Sequence, residues 1–193
     1  MRETTDHPGP GAPRTVSRRR LVEAAAAAAL VLAGSVVAVA RTTGYPLRPG
    51  LKLAVLAPWQ FVVVERAARR IVAPDREGDA SIPSPDDLDL AAFVDKWTAH
   101  LPRSVRRDLG RFLAYVEHVA PVRAGFMARF TRLDAERQDR VLASIEGSSS
   151  DLLRAGFDGL RALVFLGYYR DPRTWGIVGY DGPLVGRPPS GWQ

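Results

Sequence analysis

Apolar residues recur at helical spacing over most of the chain after residue 57, and prolines and glycines separate one stretch from the next. The clearest apolar face contains Val105, Leu109, Phe112, Leu113 and Val116. No stretch alternates apolar and polar residues as a strand does, and no segment is repeated. The pattern predicts an all-α domain, a small bundle of five or six helices closed by an irregular C-terminal tail.

Local signals predict where individual helices begin and end. Ser84-Pro85-Asp86-Asp87 combines a capping serine, a proline for the first turn and acids that suit the helix dipole. Capping also explains the carboxylates of Asp86, Asp87 and Asp89, which otherwise resemble a ligand cluster. Asp134 is a second predicted N-cap and Gly147 a predicted helix end, while Gly167 is expected to end the last helix.

The tail, Leu166 to Pro183, has no helical or alternating period. It contains four glycines and four large aromatic residues, Tyr168, Tyr169, Trp175 and Tyr180. Rings on an irregular backbone have to be buried somewhere. One interpretation is a strap packed on the chain's own helices. The other, which we favour, is a partner interface formed by these four aromatic residues.

The N-terminal forty residues resemble an export signal. A basic stretch with Ser17, Arg18, Arg19 and Leu21 precedes the uncharged run 24–40, which ends in small residues at Ala38 and Ala40. Ser17 and the arginine pair resemble the twin-arginine signal, which directs folded proteins to their translocase. We therefore expect cleavage after Ala40. The expected organisation is a disordered N-region and signal over 1–40, a linker over 41–57, a helical domain over 58–183 and a disordered tail over 184–193.

An uncleaved anchor is the alternative for residues 21–40. Nine of the seventeen residues from Ala24 to Ala40 are alanine, which contributes little to membrane insertion. A membrane-anchored structural protein is therefore one rival function, and the mass of the mature N-terminus would test it.

Composition excludes several classes of site. The chain contains no cysteine, so disulfides, thiolate metal sites and cysteine nucleophiles are excluded. Its net charge is +6, but after residue 40 the 22 basic residues are dispersed among 18 acids. Dispersed charge of this kind does not predict binding to nucleic acid.

Glu117 and His118 are the one pair that suggests chemistry. Adjacent helical residues point about 100° apart, so the two side chains cannot converge on one metal ion. Helical geometry places His118 opposite the apolar face, as a surface or interface residue, and Glu117 about a quarter-turn from that face. No nucleotide-binding, hydrolase or zinc motif occurs. The residues thus predict no catalytic, cofactor or metal site. The rival is a free-standing exported helical enzyme, or a haem-binding or metal-binding protein, that uses His100 or His118.

The chain also resembles a known family. The residues concerned are Phe157, Leu166 to Tyr169, Asp171-Pro172, Trp175 and Gly179 to Pro183, and further back Phe93 to Asp95, Leu113 to His118 and Phe130 to Leu133. They resemble the gluconate 2-dehydrogenase subunit 3 family, small subunits of exported, FAD-dependent sugar and alcohol dehydrogenases.

The resemblance implies a non-catalytic subunit that helps a large FAD-containing partner to fold and to be exported. Its partners would be that large subunit, the twin-arginine translocase and, in some complexes, a membrane-bound cytochrome subunit. The expected location is the periplasm or cell envelope, free or attached to the membrane. The substrate pocket would lie in the other chain.

Overall fold

The structure is a computed structural model, and it describes residues 44–72 and 82–182. The described residues from Tyr45 onward belong to one compact unit. The predictions for the signal region and for residues 184–193 lie outside the described residues. Within the described ranges the α-helices are α1 Pro58–Ile71, α2 Leu90–Ala99, α3 Arg103–His118, α4 Ala120–Arg123, α5 Ala135–Glu146 and α6 Asp151–Tyr168. Two 3-10 helices, Phe130–Arg132 and Pro172–Val178, complete the fold.

Helix α1 lies at the centre of the bundle. It packs against α2, α3, α5 and α6, and its residues Val63, Val64 and Ala67 are fully buried. A helix surrounded by partners has to be apolar around most of its circumference, as the run Phe61 to Val64 is. The all-α prediction is confirmed for the described residues.

The predicted start of the second helix is wrong. Residues 85–89 form turns, and α2 begins at Leu90 because Asp89 has φ 50° and ψ 45°, in the left-handed region. Ser84 and Asp87 do exchange hydrogen bonds as a capping pair would. However, Asp86 binds Arg69 and Asp89 binds Arg48. These acids therefore hold neighbouring segments instead of capping α2.

The predicted role of Gly167 is also wrong. Helix α6 continues through Tyr168, so this glycine lies inside its last turn. A Cβ atom at position 167 would lie 2.6 Å from Cδ1 of Phe93. The glycine is needed because α2 approaches α6 closely here.

The two predicted boundaries of α5 are confirmed. Asp134 is the N-cap and accepts a hydrogen bond from the Arg137 amide, and the helix ends before Gly147.

The apolar face predicted for α3 is only half buried. Phe112, Leu113 and Val116 belong to the core, whereas Val105 is 45% exposed and Leu109 is partly exposed. Periodicity identified the face correctly. It could not show that no other described helix covers the N-terminal half.

The segment before α1 is fastened to the bundle by a buried carboxylate. Asp95 on α2 accepts hydrogen bonds from the backbone amides of Ala54, Val55 and Leu56, at 2.5, 3.0 and 2.8 Å. These bonds satisfy three amides that no helix or strand pairs. The sequence alone suggested a linker over 41–57 and gave no sign of this attachment.

Candidate partner-binding surface

The aromatic tail is folded as a 3-10 helix, Pro172–Val178, that follows directly on α6. Asp171 begins it by accepting a hydrogen bond from the Arg173 amide, and its carboxylate also binds the Arg173 guanidinium at 2.9 Å. These hydrogen bonds lower the pKa of Asp171 to about 2. The acid is therefore ionised, and able to hold this turn, throughout the physiological pH range.

Two side chains bind the tail to the end of α6. Thr174 is buried, and its hydroxyl lies 3.1 Å from the Tyr168 carbonyl and 2.8 Å from the Asp171 carbonyl. The Trp175 indole donates to the Tyr169 carbonyl at 2.8 Å. The last carbonyls of an α-helix have no partner within the helix. The tail supplies those partners, and this contact fixes its position.

Gly182 completes the packing of the tail. It has φ 99°, and a Cβ atom there would lie 2.9 Å from Cζ3 of Trp175. The backbone therefore turns back over the indole in a conformation that favours glycine.

The four aromatic residues predicted as an interface occupy different environments. Tyr168 is only 3% exposed, and its hydroxyl donates to the Pro83 carbonyl. Its assignment to a surface is corrected: it is a core residue, because helix α6 extends further than expected. Tyr169 and Trp175 are partly buried, and Tyr180 is 47% exposed with its ring against Trp175.

The outer side of the tail presents apolar surface. Ile177, Val178 and Tyr180 are each about half exposed, and they lie within four consecutive positions. The two interpretations of the tail thus apply to different residues. Its inner side is a strap on α6, and its outer side is available to a partner.

Glu117 is the centre of a buried polar cluster. Its carboxylate is fully buried and accepts hydrogen bonds from the Tyr45 hydroxyl at 2.7 Å and from the Thr131 amide and hydroxyl at 3.1 and 2.7 Å. Arg129 donates to the Tyr45 oxygen at 2.9 Å, and its Nε lies 3.9 Å from the carboxylate. A buried charge needs partners of this kind. The cluster joins the segment before α1 to α3 and to the 130–132 turn.

The sequence placed His118 opposite the apolar face of α3, as a surface or interface residue, and the structure puts it against another helix. It is partly buried, and its ring lies 6.2 Å from the ring of Trp59 on α1. His100 is exposed at the end of α2, where its Nδ1 lies 2.9 Å from the Lys96 carbonyl. No group of three or more potential metal ligands occurs within residues 44–72 and 82–182.

The environment of Tyr45 predicts a loss of stability in alkali. Burial, with the hydrogen bond to Glu117, raises the pKa of Tyr45 from 10.0 to about 12. The unfolded chain therefore loses this proton first, and the free energy of unfolding should fall as pH rises from about 10 towards 12. Urea titrations across this range should show a shallower decline for Tyr45→Phe. Equal declines would contradict the assignment.

Sequence reasoning missed Asp95 and Glu117 as the buried anchors of the N-terminal segment. Each lies beside an apolar face of a helix, which is a weak signal, and each is satisfied by groups distant in sequence. The export-signal residues Ser17, Arg18, Arg19, Leu21, Ala38 and Ala40 lie outside the described residues. In the part of the chain that the structure describes, no helix has both the length and the apolar content required to cross a membrane.

A family model for gluconate 2-dehydrogenase subunit 3 matches residues 58–182, from the first residue of α1 to the end of the tail. Neither the comparison with curated proteins nor that with solved structures gave a match.

Proposed function

Because the chain belongs to the gluconate 2-dehydrogenase subunit 3 family, we propose that it is a non-catalytic accessory subunit of an exported, FAD-dependent dehydrogenase. The family is that of a small subunit of a larger dehydrogenase complex. Its match over residues 58–182 is the observation that supports the proposal most strongly.

In this function the large partner binds FAD and oxidises a sugar, a sugar acid or an alcohol. The small subunit assists the folding of that partner. It also supplies the signal by which both chains leave the cytoplasm together. The twin-arginine translocase, which transports folded proteins, would recognise Ser17, Arg18, Arg19 and Leu21. Cleavage after Ala40 would then release the pair into the periplasm or cell envelope.

The outer side of the tail is the proposed contact with the flavoprotein. Tyr180, with Ile177 and Val178, presents exposed apolar surface on a backbone that Thr174 and Trp175 hold in place. A preorganised surface loses little conformational entropy on binding. Tyrosine at the centre of an interface commonly contributes much of the binding energy.

The export function is tested in a host that lacks its own copy of this chain. The wild-type chain should restore a flavin-containing dehydrogenase to the cell envelope. Arg18→Lys combined with Arg19→Lys should leave both chains in the cytoplasm, although the charge of the segment is unchanged. Flavin absorbance and dehydrogenase activity with sugars and alcohols are measured in each fraction.

Two outcomes would contradict the proposal in different ways. Normal export of the doubly substituted chain would show that the signal assignment is wrong. An exported flavoprotein that is equally abundant and active without this chain would remove the accessory function itself.

A further inference from the structure

Helices α3 and α6 form an open apolar groove along residues 152–163 of α6, before the Tyr168 and Tyr169 carbonyls that the tail binds. Its volume is about 710 Å³, and its lining includes Val105, Leu109, Phe112, Leu152, Gly159 and Leu163. Leu152 is 81% exposed and Val105 is 45% exposed. This is the half of the α3 apolar face that no other described helix covers. An apolar groove between two helices, rimmed by polar residues, is a candidate docking site.

Two glycines on α6 shape the groove. A Cβ atom at Gly156 would lie 2.4 Å from Cδ2 of Phe112. This glycine therefore lets the Phe112 ring, on α3, approach the backbone of α6. A Cβ atom at Gly159 would have no other atom within 4 Å, apart from the helix's own backbone and its chain neighbours. Gly159 therefore faces open space, where a side chain would enter the groove.

The charge around the groove favours an acidic occupant. Helix α3 bears four arginines, at 103, 106, 107 and 111, and its one exposed acid is Asp108, which pairs with Arg111. Asp108 and Arg111 line the groove and pair with each other, and Arg106 lies beside the apolar face on its other side. Helix α6 adds no net charge, because its Asp151 and Asp158 pair with Arg154 and Arg161. Arg103, Arg106 and Arg107 form no ion pair with the residues that the structure describes. A segment with an apolar face and acidic flanks would complement both features.

We propose that this groove binds an amphipathic helix of the large flavoprotein subunit, with acidic residues flanking its apolar face. Helix-in-groove recognition requires an apolar channel between two helices, and α3 and α6 provide one. The chain's own apolar run 24–40 fits less well, because Arg18, Arg19 and Arg20 precede it and would bring like charges to α3. This inference rests on the proposed function. It gives the chain a second contact surface for the flavoprotein, in addition to the tail.

The first test compares substitutions inside and outside the groove, using the purified flavoprotein as the probe. Leu152→Asp should weaken its binding by about tenfold or more. Met127→Asp is the matched control, since Met127 is 94% exposed and does not line the groove. Gly159→Leu should fill the groove, weaken binding to a similar extent and leave the melting temperature unchanged or higher, since leucine is the better helix former. Arg106→Glu should weaken binding most at low salt.

A crosslink identifies the occupant. Because the chain contains no cysteine, Leu152→Cys introduces a single thiol at the rim of the groove. A thiol-directed photocrosslinker attached there should capture an acidic amphipathic segment of the flavoprotein. Capture of a second copy, of residues 1–43 of this chain, or of nothing would overturn the proposal.

The outcomes separate the two proposals. If the flavoprotein binds the wild-type chain and binds Leu152→Asp and Gly159→Leu equally well, the groove is not its site, and the accessory function stands. If the flavoprotein does not bind the wild-type chain, both proposals are wrong.

Discussion

Replacing Glu117 with alanine is expected to lower the free energy of unfolding by about 3–5 kcal/mol. The substitution leaves three donors without their acceptor and Arg129 without its neighbouring carboxylate. The Tyr45 hydroxyl, the Thr131 amide and the Thr131 hydroxyl all donate to this carboxylate. Glu117→Gln keeps the shape of the side chain but offers one acceptor oxygen, so a smaller loss of about 1–3 kcal/mol is expected. Urea titration followed by circular dichroism measures both.

Glu136→Ala is the matched control for this prediction. The Glu136 side chain is 87% exposed, and the one ion pair that it forms within the described residues, with Arg140, spans 3.9 Å. Its loss should change the free energy of unfolding by about 0.5 kcal/mol or less. If Glu117→Ala were no more harmful than Glu136→Ala, the buried cluster would have no role in stability. Limited proteolysis before residue 57 should also become faster in Glu117→Ala alone.

The second large effect is expected at Tyr168, where truncation to alanine should cost about 3–5 kcal/mol of stability, as for other large buried aromatic residues. Tyr180→Ala should cost about 1 kcal/mol or less, since Tyr180 is 47% exposed and its ring packs edge-to-face with that of Trp175. Binding should respond in the opposite order. Tyr180→Ala should weaken binding of the flavoprotein by about tenfold or more while the isolated subunit stays folded.

Melting temperature and flavoprotein affinity, measured on the same preparations, distinguish these two roles. Tyr168→Phe serves as the control for folding, because it keeps the ring in the core and loses only the hydrogen bond to the Pro83 carbonyl. If Tyr180→Ala lowered the melting temperature as much as Tyr168→Ala does, the whole tail would be a strap packed on α6. An intact Tyr180→Ala variant that still binds the flavoprotein normally would remove the tail from the interface.

The helical class of the fold could be predicted because apolar spacing is a local property of the sequence. Asp134 and Gly147 were correct boundaries for the same reason, since each acts on its own helix. Gly167 was misread because its role depends on a distant residue, and Ser84 was misread because the backbone turns between it and the helix. The ring of Phe93 requires the first to be glycine, and the left-handed Asp89 separates the second from α2.

The candidate surfaces were predictable only in part. Composition identified the aromatic tail, but the division between buried Tyr168 and exposed Tyr180 follows from where α6 ends. The amides that bind Asp95 are about 40 residues away in sequence, and the partners Thr131 and Tyr45 of Glu117 are 14 and 72 residues away, so no local pattern could reveal them. The groove could not be predicted for a different reason, although its pattern is local. Its residues carry the same helical period as a buried face, and periodicity does not report what covers that face.

The attachments of the segment before α1 have a mechanical consequence. Tyr45 is held to Glu117, and further along the chain residues 54–56 are held to Asp95. A pull on the chain end preceding Tyr45 would load these two attachments one after the other. Helix α1, the next element along the chain, would be pulled directly only after both had opened. These two attachments thus protect α1 against unravelling from its N-terminal end.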